Sequence, residues 1–166
     1  MPTPACAHAA RDKQGNPPGI LKREPVCGLP PFLHDIIDRM CARGVFTPAT
    51  RPDSCIINFY SEGDCIPPHI DHHDFTRPFV TLSLLSEQPI LFGEKISIVD
   101  EGEFAAPYSM PLPVGSVLVL DGNGADVAKH CVPAVRADRV SITFRKIDPA
   151  KIRMEAFQGP DGRNGG

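Results

Sequence analysis

From Pro31 onward the apolar residues Leu33, Ile36, Ile37 and Met40 recur at helical spacing, which gathers them onto one stripe of a helix. Arg43 suits the last turn of that helix, and Gly44 the position just past its end. The stripe predicts a helix laid on a sheet, with His34 and Asp35 on its outer side. After Pro48 and Pro52 the pattern changes to short β-rich runs at 55–60, 79–86, 90–92, 95–99, 116–120, 127–132 and 139–146, separated by Gly, Pro and Asp. Short strands with turn signals between them, behind one helix, predict a mainly β (α+β) domain built as a sandwich or open barrel. A terminal helix over 148–157 would rest on Ile152, Met154 and Phe157.

The last strand carries the most information. Arg139, Ser141, Thr143 and Arg145 fall on one face and Val140, Ile142 and Phe144 on the other. Alone, the polar face suits an edge strand turned to solvent. It equally suits the lining of a cavity that holds an anion, because a guanidinium fork matches a carboxylate with two parallel hydrogen bonds. Asn58 and Tyr60 share a face of an earlier strand.

Candidate chemistry decides between the two. In the stretch 66–74, His69 and Asp71 stand two positions apart at what looks like the rim of a strand, so imidazole and carboxylate point the same way. A histidine from a distant strand, His130 first, would complete the two-His-one-carboxylate face that holds non-haem Fe(II) and keeps positions open. Beside such a site the arginine-rich face belongs to a cavity.

Composition narrows the setting. With 166 residues the chain suits one domain, and a net charge of -3 with 22% charged residues makes any nucleic-acid contact a local patch. Lys129, Arg136, Lys146, Lys151 and Arg153 could form a basic rim or be scattered surface charge. No stretch resembles a signal peptide or a membrane span. The expectation is an intracellular protein, cytoplasmic and/or nuclear, with no membrane partner. Residues 1–18 read as a flexible lead-in, 19–157 as the folded domain and 158–166 as a disordered tail. The six cysteines form no Cys-x-x-Cys pair and are expected as reduced thiols, with Cys65 and Cys131 exposed to oxidation by their closeness in sequence to the proposed ligands.

The stretches 57–60, His69-Ile70-Asp71, His130 and 139–145 resemble, in order and spacing, the Asn-x-Tyr, His-x-Asp, distal His and Arg-x5-Arg elements of the AlkB-type Fe(II)/2-oxoglutarate dioxygenases. Residues 64–75 and 122–133 look like the plant branch of the RNA N6-methyladenine demethylases within that family. The resemblance covers residues 18–148. It implies a double-stranded β-helix (jelly roll) with the N-terminal helix packed on the sheet, and Fe(II) held by His69, Asp71 and His130. It also implies 2-oxoglutarate gripped by Arg139 with Tyr60 and Asn58, Arg145 nearer the metal, and O2 as co-reactant. The implied reaction is oxidative demethylation of N6-methyladenine in single-stranded RNA by a monomer, releasing formaldehyde, succinate and CO2. Alternatives are the same chemistry on another nucleobase or a protein, and a shortened, non-catalytic RNA-binding module.

If the strand continues past Asp71, His73 joins the metal face and approaches the substrate base; His72 points away. Phe75, Arg77 and Phe79 could stack on a base, although Phe79 at β spacing also suits the core. Only 57 residues precede Asn58, whereas family members carry a longer segment there with a nucleotide-recognition lid. Part of that lid is therefore expected to be missing.

Overall fold

A computed structural model describes residues 28–151. Helix α1, Pro31–Ala42, starts with proline at its first position, where the missing N–H costs nothing. It ends in a Schellman motif: Gly44 at φ 74° donates to the Cys41 carbonyl at 2.9 Å and Val45 to that of Met40 at 3.0 Å. Leu33, Ile37 and Met40 are buried as the stripe predicts, and His34 and Asp35 lie outside.

Ten strands follow: β1 (Ser54–Tyr60), β2 (Ile66–His69), β3 (Phe75–Leu84), β4 (Gln88–Gly93), β5 (Ser97–Asp100), β6 (Glu103–Ala105), β7 (Tyr108–Leu112), β8 (Val117–Leu120), β9 (Lys129–Val132) and β10 (Arg139–Ile147). One turn of helix, α2 (Asn123–Asp126), precedes β9, and a 3-10 turn (Pro149–Lys151) follows β10. The strands form two four-stranded antiparallel sheets, β1-β10-β3-β8 and β2-β9-β4-β7, with β5 and β6 as a separate hairpin. Apart from the β4–β7 link through that hairpin, each step along the chain crosses from one sheet to the other. That is the expected jelly roll.

Several boundaries differ from the expectation, β3 for one starting at Phe75 rather than at 79. Strand β2 contains Pro67 and Pro68, which an edge strand tolerates where its pairing with β9 is irregular, between Ile66 and His69. It stops at His69, so 70–74 is loop and turn. Strands β6 and β7 were not expected; β7 is likewise an edge, carrying Pro111. The expected run from Val127 begins only at Lys129, because Val127 caps α2. The lead-in, the tail and the anchors Ile152, Met154 and Phe157 lie outside the described residues. Among the described residues no helix is long and apolar enough to cross a membrane.

The first sheet has two unlike faces. On one, Val80, Ile142 and Phe144 pack against Leu33, Ile37, Met40 and Phe46, forming the main core. The opposite face of β10 carries Arg139, Ser141 and Arg145, all buried. The thiol expectation is corrected at one position: Cys65 is disulfide-bonded, whereas Cys41, Cys55 and Cys131 are free. Spacing along a chain does not say which cysteines meet in space.

Removing the Leu33 side chain leaves a cavity between helix and sheet. Leu33→Ala is expected to lower the unfolding free energy by about 2–5 kcal/mol, read as a shifted urea midpoint. A loss under half a kilocalorie would mean the helix is not part of the cooperative core.

Candidate active site

The pairing of β2 with β9 sets His69 directly opposite His130, and directly opposed residues share a face. Their rings lie 4.4 Å apart. Asp71, two residues beyond the end of β2, turns its carboxylate back to them: Oδ1 is 3.2 Å from His69 Nε2 and 3.9 Å from His130 Nε2. The three ligand atoms all lie within 4.8 Å of one another. His69 Nδ1 is 2.8 Å from the Pro67 carbonyl. A carbonyl only accepts, so Nδ1 carries a proton and Nε2 is the nitrogen turned toward the cluster.

Electrostatics keep these groups ready for a cation. Burial pushes the Asp71 carboxyl up, but the hydrogen bond from His69 and the charges of His130, His69 and Arg145 outweigh it, holding the group at about 2. Burial, with the nearby His69 and Arg77 charges against the pull of Asp71, lowers His130 to about 4. At neutral pH the site therefore offers an ionised carboxylate and a neutral imidazole, the forms that ligate metal.

Arg145, which reaches Asp71, belongs to a row of polar side chains on one face of β10 and its neighbours. Asn58, Ser141 and Ser83 stand opposite one another across β1, β10 and β3, and Tyr60 stands opposite Arg139. Tyr60 and Ser141 share a hydroxyl hydrogen bond of 3.1 Å. Arg139 is 1% exposed, lies 4.9 Å over the Tyr60 ring and donates through Nη2 to Ser83 Oγ at 3.1 Å. Its Nε and Nη1 have no partner, nor has the buried hydroxyl of Ser116. Orphan donors on a buried guanidinium are costly, and an anionic ligand with oxygens to spare would satisfy them. Arg145 is oriented differently, 3.8 Å over the Phe75 ring with Nη1 3.8 Å from Asp71 Oδ2. The solvated-edge reading of β10 therefore fails, because β10 is a central strand with neighbours on both sides and its arginines are buried.

The structure brings together His69, Asp71, His130, Tyr60, Arg139 and Arg145, with Asn58 half-buried in the same row. His73 departs from the expectation. With β2 ended at His69, it stands exposed in the turn after Asp71 and does not extend the metal face. His72 Nδ1 approaches Asp74 Oδ2 at 3.2 Å. Phe79 is core, 1% exposed. Cys131 is buried and its thiol is pushed up to about 11 by burial, which leaves it protonated and poorly reactive, against the expectation of oxidation.

Sequence reasoning passed over Ser83, Ser116, Phe92 and the true place of Arg77. Phe92 stands opposite His130, with ring centroids 6.1 Å apart. Alternation along β3 and β4 could have put Ser83 and Phe92 on inward faces. No pattern announces Arg77, whose guanidinium bonds to backbone carbonyls.

The family model described as the 2OG-Fe(II) oxygenase superfamily matches residues 5–145 of this chain. RNA demethylase ALKBH9B of Arabidopsis thaliana is 60% identical over 156 residues, covering 94% of this chain and 31% of that protein. RNA demethylase ALKBH10B of the same plant is 35% identical over 147 residues, 88% of this chain and 25% of that protein. RNA demethylase ALKBH5 of Bos taurus is 32% identical over 130 residues, 76% of this chain and 33% of that protein. The chain thus spans about a third or less of each.

The shifted groups predict an acid sensitivity of the metal-free protein. His130 sits at about 4 when folded against an ordinary 6.5, so between those values the unfolded chain binds a proton that the folded one does not, and stability falls as pH falls. Asp71, at about 2 against 3.8, adds a second loss below pH 3.8. Urea unfolding at stepped pH checks this. His130→Gln should flatten the upper window, and an unchanged slope in that variant would contradict the assignment.

Proposed function

The chain belongs to the 2OG-Fe(II) oxygenase superfamily, and from that premise we propose that it is the oxidative core of an RNA demethylase acting on N6-methyladenine in single-stranded RNA. The observation that carries the reading is the juxtaposition of two elements. His69, Asp71 and His130 converge within 4.8 Å, and Arg139 lies buried nearby with two nitrogens unpartnered. A structural metal site has no use for a buried, unsatisfied guanidinium. A site that binds metal together with a dicarboxylate does.

The residues fit the family's cofactors, Fe(II) and 2-oxoglutarate with O2. His69, Asp71 and His130 would hold the iron; Arg139, aided by Tyr60 and Asn58, would hold the far carboxylate of 2-oxoglutarate. When bound, these groups supply the oxidation that turns an N-methyl group into a hydroxymethyl lost as formaldehyde, with succinate and CO2 as co-products. The chain's share is placement and charge. The Pro67 carbonyl fixes the tautomer of His69. Arg145 sits against Asp71 and partly offsets its charge. Phe79 and Phe92, with ring centroids 6.5 and 6.1 Å from His130, border that ligand with apolar surface.

RNA as substrate is supported by relatives that are RNA demethylases. The N6 position, the single strand and a monomeric state belong to the proposal. His73, exposed in the turn beyond Asp71, is the side chain offered to the incoming base.

The purified protein, given Fe(II), 2-oxoglutarate and oligonucleotides carrying different methylated bases, should form succinate coupled to loss of the N6-methyl mass. His69→Ala should abolish both. Arg139→Ala should raise KM for 2-oxoglutarate about tenfold to a hundredfold, the worth of a charge-assisted bond pair. Turnover on 1-methyladenine alone would keep the chemistry and replace the substrate. Absence of succinate with every oligonucleotide would favour a non-catalytic RNA-binding module.

A further inference from the structure

Asp71 is the ligand with least backbone support. His69 and His130 sit in paired strands, but Asp71 stands past the end of β2, outside any ladder. Its carbonyl accepts a 2.9 Å hydrogen bond from Arg77 Nη2. The same guanidinium donates through Nη1 to the carbonyls of Phe75 at 2.6 Å and His72 at 3.3 Å. Its Nε completes the set, 2.9 Å from Oδ1 of Asp126 in α2, four residues before His130. The Arg77 side chain is 10% exposed and its guanidinium carbon lies 5.3 Å from the centre of the Phe79 ring, which itself neighbours His130.

We propose that Arg77 is a positioning residue for the metal centre, a clasp that fixes the Asp71 loop and the approach to His130 as one unit before any metal arrives. The inference rests on the reading of His69, Asp71 and His130 as the iron site, and adds to it a residue that touches no ligand atom. Three backbone carbonyls from a tight loop converge on one planar fork, while the fourth contact reaches a different segment of the chain. Only a guanidinium presents donors in those fixed directions; an ammonium on a flexible stem cannot serve all four at once. Holding both segments in advance removes from metal binding the entropy of ordering them. Outer partners of this kind are typically worth about tenfold to a hundredfold in metal affinity.

The experiment is a Mn(II) titration followed by electron paramagnetic resonance, which reads the site without turnover, beside urea unfolding of each metal-free variant. Arg77→Ala and Arg77→Lys should both weaken Mn(II) binding about tenfold to a hundredfold. Failure of lysine to rescue separates the fork geometry from charge alone. Asp126→Asn removes only the charge of the half-exposed partner and should cost about twofold to fivefold. Ile37→Val loosens the helix–sheet core away from the site and should leave Mn(II) affinity unchanged. If the Arg77 variants do not fold, Asp126→Asn decides, and unaltered affinity there overturns the clasp. Wild-type affinity in a folded Arg77→Ala, full rescue by lysine, or equal weakening in Ile37→Val also overturns it. A wild-type protein that binds no Mn(II) would overturn the iron site and the clasp together, whereas binding that ignores Arg77 would overturn the clasp alone.

Discussion

A carboxylate taken almost wholly out of water must be compensated where it stands, and Asp71 imposes that condition on everything around it. Burial raises its pKa, and the His69 hydrogen bond with the charges of His130, His69 and Arg145 more than offsets that rise. The compensation is deliberately incomplete. Arg145 Nη1 is 3.8 Å from Asp71 Oδ2, and His69 Nε2 and His130 Nε2 are 3.2 and 3.9 Å from Oδ1. A tighter ion pair would satisfy Asp71 and leave nothing for a cation. At these distances the carboxylate is stable enough to stay charged and free enough to bind.

The same condition shapes the first sheet. One face of β10 feeds Ile142 and Phe144 into the helix-covered core, while its other face carries two buried arginines. Period-two alternation makes this division possible on a single strand, and the cost of the polar side is borne by packing on the apolar side. The jelly roll then supplies what neither face could alone. Because the chain crosses between sheets at nearly every step, strands distant in sequence end up facing one another. His69 and His130, 61 positions apart by subtraction, become cross-strand partners.

What could be read from the chain follows from this physics. Buried charge is rare, so an arginine-bounded polar face on β10 and a His-x-Asp step stand out against ordinary strand composition. The helix stripe was legible because its burial repeats regularly from Leu33 to Met40. Strands β6 and β7 were not, since three residues carry little alternation and Pro111 interrupts the run expected of a strand. His73 lies off the metal face because the strand expected to carry it ends four residues earlier, at His69. Arg77 was unreadable because three of its four partners are main-chain carbonyls, which every residue possesses and none advertises.

This division also explains why the reaction is easier to infer than the substrate. Metal and dicarboxylate chemistry demands particular side chains at buried positions, and Arg139 is buried with two nitrogens unpartnered. Recognition of a base needs only a suitably shaped, accessible surface near that centre, and the turn bearing His73 is accessible without being specific. Loops that frame such a centre can differ without altering the paired strands that hold His69 and His130.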